Sequence, residues 1–472
     1  MSYRSPRGMK ISLDDAIFRR EVMTRKSLAV PLLTIIIATT LGLPAAHARQ
    51  SNEIDGIWLS HGYGMLIEVN AEQATIYDIT SVSCTPLFDT TALQEYGVQL
   101  TVENGELIIR DDKTLYITAA RLESLPELCA NGGTVSDDPE LNFEAFWHDF
   151  NEQYAFFDLY GVDWQAQYDQ YRPLVTGETS PEELFTILSD MLRPLTDEHI
   201  SLSNGEQDFS PAISASWLAD DPMPVVTIFS MNDVVAQNAL NGQVSFNLEA
   251  FALEGDEALI ANRFIFYGKL SDTVGYVNIP LETAYTEDGS DVANAGVTMD
   301  RIVAEFADLE TIIIDVRFNL GGDDAVALAL ASRFADEKRV VTTKQARDGD
   351  DFTPSREFYV EPGGPQQFTG NVIVLTSQFT VSAGETFVLA MDVLPHVTMV
   401  GENTAGAYSD VLSRVLPNGW TFGLSNEKYT APDGEVYEKV GNPPDVLVPF
   451  DPEDFLAGTD EILSIALELA AQ

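Results

Sequence analysis

Three stretches in the second half of the chain, residues 274–279, 311–315 and 371–375, are largely apolar on both of the faces that a strand presents. A strand that meets water on one side alternates apolar and polar residues, so a run such as Ile312-Ile313-Ile314 requires cover on both sides. Segments with helical spacing lie between them, around residues 293–307 and 325–335, and a third helix is expected over about 382–393. Strands and helices alternating in this way define an α/β layer with a buried sheet. Everything else in the chain has to be arranged around it.

The periodicity differs upstream. Residues 64–69, 73–77 and 106–110 alternate apolar and polar positions between Asn, Gly and Asp turns, which predicts a small antiparallel β domain over 49–135. The polar stretch from Gly132 to Pro139 reads as a linker. Helical spacing then takes over across 140–205, with Phe143, Phe146, Trp147 and Phe150 on one stripe, read as packing, and with Ser180-Pro181-Glu182-Glu183 opening a second helix. Residues 206–270 commit to little beyond a strand over 223–229. The α/β core is expected over 271–450 and a C-terminal helix over 451–472.

Composition narrows the environment. Arg19, Arg20, Arg25 and Lys26 precede an apolar run over 28–43, and Ala46-His47-Ala48 offers a small-x-small cleavage site, so residues 1–48 are expected to be an export signal removed at about Arg49. An uncleaved anchor is the rival reading. No later stretch is long and apolar enough to span a bilayer, so no stable membrane insertion is expected after cleavage. In an oxidising compartment such as the periplasm or the extracellular space, Cys84 and Cys129 would pair as one disulfide. The formal charge is -48, and a surface so acidic repels nucleic acid. Acidic clusters such as Asp348-Gly349-Asp350-Asp351 lack the ligand spacing of a calcium loop, and no metal or other cofactor is expected.

Three features carry chemistry. Ser382 falls between a buried strand and the first turn of a helix, where free N–H groups and the positive helix end would meet a developing oxyanion. The same serine could simply cap that helix, with Glu385 completing a capping box. A nucleophilic serine needs a base. Of the five histidines, His47 leaves with the signal, His61 sits in the β domain, His148 lies on the aromatic helix and His396 follows Ser382 closely, whereas His199 opens a short alternating run. The third feature is the polar turn after Asp315, where Gly321 and Gly322 free the backbone to approach a ligand.

Together these motifs resemble the serine peptidases that include the tail-specific (carboxyl-terminal processing) proteases and the tricorn protease core, a family whose fold the interphotoreceptor retinoid-binding modules share. The resemblance rests on Asp197-Glu198-His199, on Asp315 to Gly322, on Ser382 to Glu385, and on Gly401 to Gly406 leading to Gly441 and Asp445. It implies a crotonase-like ββα spiral core, Ser382 as nucleophile, His199 as base, and the N–H groups of Ala383 and of Gly321 or Gly322 as the oxyanion hole. A late acidic residue orients the histidine in the tricorn branch, and Glu438 is the nearest match, with Glu435 a weaker one. Ala407 stands where the tail-specific proteases carry their lysine, which argues against a Ser-Lys dyad unless Lys428 or Lys439 reaches in. Glu198 stands where the tricorn type has a serine. Residues 205–270 show no Gly-Leu-Gly-Phe-like loop, so a PDZ module is expected to be absent or replaced.

The resulting expectation is an exported serine peptidase acting on peptides or unfolded proteins through an acyl-serine. The rivals are an esterase or amidase using the same residues, and a non-catalytic protein binding an apolar ligand on the same fold. Neither substrate preference nor oligomeric state is written in the sequence.

Overall fold

The computed structural model of the protein describes residues 3–4, 10–11, 53–70, 73–89, 98–111, 114–211, 265–282 and 291–472. Residues 1–47 form one unit, in which Tyr3–Arg4 pairs antiparallel with Lys10–Ile11. The export-signal expectation otherwise falls outside the described residues, as do the strand expected over 223–229 and most of the segment expected to lack a PDZ module. Residues 48–472 form the second unit.

At the centre of this second unit is a six-stranded sheet. Its order is Phe266–Lys269, Val274–Asn278, Thr311–Asp315, Asn371–Thr376, Val397–Gly401 and Val446–Leu447, parallel throughout except for the first strand. Alternation along the strands explains why the sequence runs are apolar without a break. Ile312, Ile314, Val372 and Val374 face one core with the helices Asp291–Glu305, Asp324–Ala331 and Ala383–Asp392. Ile313, Ile373 and Leu375 face another, covered by the helix Glu461–Ala470. The single C-terminal helix expected over 451–472 is two, Pro452–Leu456 and Glu461–Ala470. Gly458, at a φ of 92°, breaks the first, and the Asp460 side chain caps the second by accepting from Leu463 N–H.

The N-terminal region is a seven-stranded antiparallel sheet spanning residues 56–122, and the Cys84–Cys129 disulfide is present at its edge. The helices Pro139–Gln153, Trp164–Tyr171 and Pro181–Leu192 bury the aromatic stripe against Phe422 and Leu424. Those two residues belong to a smaller four-stranded sheet ordered Asp208–Phe209, Ser201–Ser203, Thr421–Ser425 and Val411–Val415. Strand Ser201–Ser203 thus ties the end of the helical segment to a strand more than two hundred residues later. No helix among the described residues is long and apolar enough to cross a membrane.

Candidate active site

Ser382 sits where the parallel strand Asn371–Thr376 passes into the helix Ala383–Asp392. Its backbone has φ 57° and ψ -126°, a conformation that a residue with a Cβ adopts only when its surroundings impose it. The surroundings are visible. Ser382 N–H donates to the Ala407 carbonyl at 3.1 Å and to Glu385 Oε2 at 3.2 Å, while Glu385 and Thr386 N–H donate back to the Ser382 carbonyl at 2.8 and 3.1 Å. Just before it, Val381 N–H donates to the Asn319 carbonyl and Thr380 Oγ1 to the Val316 carbonyl. The carboxylate half of the capping box therefore exists, yet Glu385 does more than cap.

Glu385 is fully buried, and its two oxygens also accept from Gly406 and Ala407 N–H, each at 2.7 Å. One carboxyl group so joins the serine turn to the loop 401–407. Burial pushes it up to about 8 although these N–H groups favour its ionised form.

The glycine turn closes on the serine from the other side. A Cβ on Gly321 would lie 2.6 Å from Ser382 Cβ, and one on Gly322 would lie 1.8 Å from the Glu282 carbonyl oxygen, so both positions require glycine. Asn319 shapes this turn. Its Nδ2 donates to the Ile279 carbonyl and to Glu282, each at 2.8 Å, and its Oδ1 accepts from Gly321 N–H at 2.8 Å. Gly321 N–H is thereby engaged, whereas Gly322 and Ala383 N–H have no partner among the described residues. Of the two glycines, only Gly322 keeps a donor to offer. The neighbouring Asp315 and Arg317 serve the scaffold instead. Arg317, with no exposed surface, bridges Asp315 and Asp460 at 2.6–2.8 Å and fastens the C-terminal helix.

His199 lies on the turn before Ser201–Ser203. Asp197, fully buried, holds this turn: its Oδ1 accepts from His199 N–H at 2.9 Å and from Ser425 Oγ at 3.1 Å, and its Oδ2 from the Tyr154 hydroxyl at 2.9 Å. The imidazole itself is half-buried, with Nδ1 sealed from solvent and without a partner among the described residues. Register sets this turn against strand Thr421–Ser425. Ser201 and Ser413 both oppose Gly423, whose Cα faces the His199 carbonyl and Val411 Cγ1, and the segment entering Val411 is the one whose Ala407 carbonyl holds Ser382. No hydrogen bond joins Ser382 to His199 among the described residues, and such bonds are often long until substrate binds.

Glu438 is buried behind this segment. Its Oε2 accepts from Tyr408 and Ser409 N–H at 3.0 and 3.2 Å, and its Oε1 is sealed without a partner. Burial, with Asp197 and Glu385 nearby, holds its carboxyl well above the usual range. The structure does not join it to His199 by a hydrogen bond. Glu435 instead donates its N–H to Asp433 on an exposed turn.

The other candidates are engaged elsewhere. Lys439 Nζ donates to the Leu159 carbonyl at 3.0 Å and Lys428 stands over the Phe352 ring, so neither takes the place of the lysine that Ala407 lacks. His61 bonds Glu106, and His148 bonds Ser81. Three contributors escaped the sequence reading of roles: Asn319, Glu385 as a bridge between loops, and the Ala407 carbonyl. Only the first two stood in motifs that could have flagged them.

A strained serine past the carboxyl end of a buried parallel strand, beside two N–H groups unpaired among the described residues, defines an α/β protein with an arrangement suited to a serine hydrolase. Comparison with known proteins makes this specific. Residues 273–448 match the model for peptidase family S41, and residues 136–193 match the tricorn protease C1 domain. The tricorn protease of Thermoplasma acidophilum is 24% identical over 211 residues, which is 44% of this chain and 18% of that protein. The carboxy-terminal processing protease CtpA of Bacillus subtilis is 24% identical over 191 residues, 38% of this chain and 40% of that one. The chain thus spans less than half the length of either curated relative. A crystal structure from Parabacteroides merdae, described as that of a candidate peptidase, superposes with a TM-score of 0.57 at 27% identity, covering 71% of this chain and 98% of that one. Residues 273–448 are thus similar to the S41 peptidases, and residues 136–193 to the tricorn C1 domain.

Proposed function

We propose that the protein is an exported serine peptidase that cleaves peptides or unfolded chains through an acyl-serine intermediate, on a crotonase-like spiral core. Ser382 attacks the peptide carbonyl, His199 takes its proton and returns it to the leaving amine, and the N–H groups of Gly322 and Ala383 receive the oxyanion. The observation that carries this reading is the imposed backbone of Ser382 beside those two unpaired donors.

Glu438 is the acidic member in this proposal. The support is a pair of buried polar atoms without partners among the described residues, His199 Nδ1 and Glu438 Oε1, one the donor and the other the acceptor that the triad requires. The role requires the carboxylate form, which accepts from the imidazole N–H, so the imidazolium has to offset the burial that raises this carboxyl. Export rests on the leader-like residues 1–48 and on the disulfide.

The test is hydrolysis of a peptide library by the mature protein. Ser382→Ala and His199→Ala are each expected to lower kcat by about 10⁴-fold or more, and Glu438→Gln by a smaller factor with KM little changed. Full activity in Ser382→Ala would sink the assignment.

A further inference from the structure

Strand Val411–Val415 is the outermost strand of the four-stranded sheet, and the direction of its N–H groups is fixed by one bond. Val415 N–H donates to Asp78 Oδ2 at 3.3 Å, outside the ladder with Thr421–Ser425. In an antiparallel pair the N–H groups point alternately toward and away from the partner strand. Those of Val411 and Ser413 therefore turn outward like that of Val415, and neither has a hydrogen-bond partner among the described residues. An unpaired edge of this kind is a template for another strand.

This edge, where Val411 is 47% exposed, borders a cavity. Val411, Leu412 and Ser413 line this cavity of about 1160 Å³, which is also lined by Met65, Ile76, Ile109 and Ile117 of the N-terminal sheet. Asp323, next to Gly322, and Asp410, next to Val411, lie on the same cavity. Its charge is lopsided. Lys344 is already matched by Asp324 at 2.6 Å and Asp410 at 3.3 Å, with Glu427 at 4.0 Å, and Arg356 stands over the Tyr116 and Phe358 rings, while the Asp410 side chain keeps 57% of its surface exposed. A volume above the roughly 300–1,000 Å³ usual for a small-ligand site fits several residues of an extended chain.

We propose that the Val411–Ser413 edge is a peptide-docking strand. A segment of substrate adds to the sheet there in extended form, roofed by the N-terminal sheet, with apolar side chains against Met65, Ile76, Ile109 and Ile117 and basic ones toward Asp323 and Asp410. The inference names a substrate site for the peptidase reading of Ser382 and rests on that reading for its purpose. It also gives the N-terminal sheet a function, as the apolar wall of the substrate channel.

The experiment is fluorescence anisotropy with a labelled octapeptide of alternating leucine and lysine, bound to the otherwise intact Ser382→Ala protein so that nothing is cleaved. Single N-methyl groups are placed on each peptide amide in turn. Methylation at every second residue is expected to weaken binding about tenfold or more, with the residues between unaffected, because only alternate amides enter the ladder. Val411→Pro, which removes one outward N–H at an edge position where proline is tolerated, is expected to weaken the unmethylated peptide by a similar factor. Uniform methylation effects, or no binding at all, would overturn the proposal. Fluorophosphonate labelling of the wild-type protein separates the two readings: a period-two pattern with an unreactive Ser382 would retain the docking edge and remove the peptidase.

Discussion

The serine turn and the histidine turn are built to different standards. Ser382 is fixed on every side: its own N–H and carbonyl, the residues before it and the glycine turn against it are held by Ala407, Glu385, Asn319 and Val316. At the histidine turn, Asp197 secures the backbone but the ring nitrogen Nδ1 is left without a partner. The difference teaches that strain and order are concentrated where the covalent bond would form. In the proposed mechanism His199 is the base, and substrate would complete its alignment.

The comparison can be broken by mutation. Asn319→Ala strips the hydrogen bonds to Ile279, Glu282 and Gly321 and should displace both the serine and the glycine turn. The expected cost is about 10²-fold in kcat, the scale of a displacement near 1 Å at the reacting atoms, read by steady-state kinetics on a peptide substrate. Asp197→Ala removes the acceptor of His199 N–H, Ser425 Oγ and the Tyr154 hydroxyl but leaves the serine turn intact, and about tenfold is expected. Equal losses for the two variants would erase the distinction between the turns.

The smallest effect is one of pH on stability. Glu385 is raised from the ordinary 4.5 to about 8 and Glu427 from 4.5 to about 7, both by burial first. A carboxyl raised in the folded state stabilises fully below its unfolded value, and that contribution is lost as pH rises through the folded value. The Tm should therefore fall between pH 5 and 9. Glu385→Gln, which cannot ionise, should flatten the upper part of that slope, as followed by calorimetry. A Tm rising across this range would contradict the burial argument.

Much of the central layer was legible because its code is local. The strand Thr311–Asp315 spans the residues expected, and Ser180 caps its helix with Glu183 closing the box as the spacing implied. The disulfide was equally readable, from two cysteines and an oxidising context. The strands Val411–Val415 and Thr421–Ser425 were not. They are short and partly polar, and they hold together by pairing with Ser201–Ser203 and by burying Arg414 between Asp78 and Asp149, partners far away in sequence. Sites show the same division. Ser382, His199 and the glycine pair stood in motifs, but the Ala407 carbonyl acts through its backbone, which no residue type announces. The choice of Gly322 over Gly321 depended on where one Asn319 oxygen points.

We propose that this imposed turn makes Ser382 a nucleophile with His199 as its activator. The most direct test is reaction of the mature protein with a fluorophosphonate, followed by peptide mapping in a mass spectrometer. A single adduct on Ser382 is expected in the wild-type protein, with a rate of labelling lowered by about 10³-fold or more in His199→Ala. An unlabelled Ser382, or equal labelling with and without His199, would contradict it.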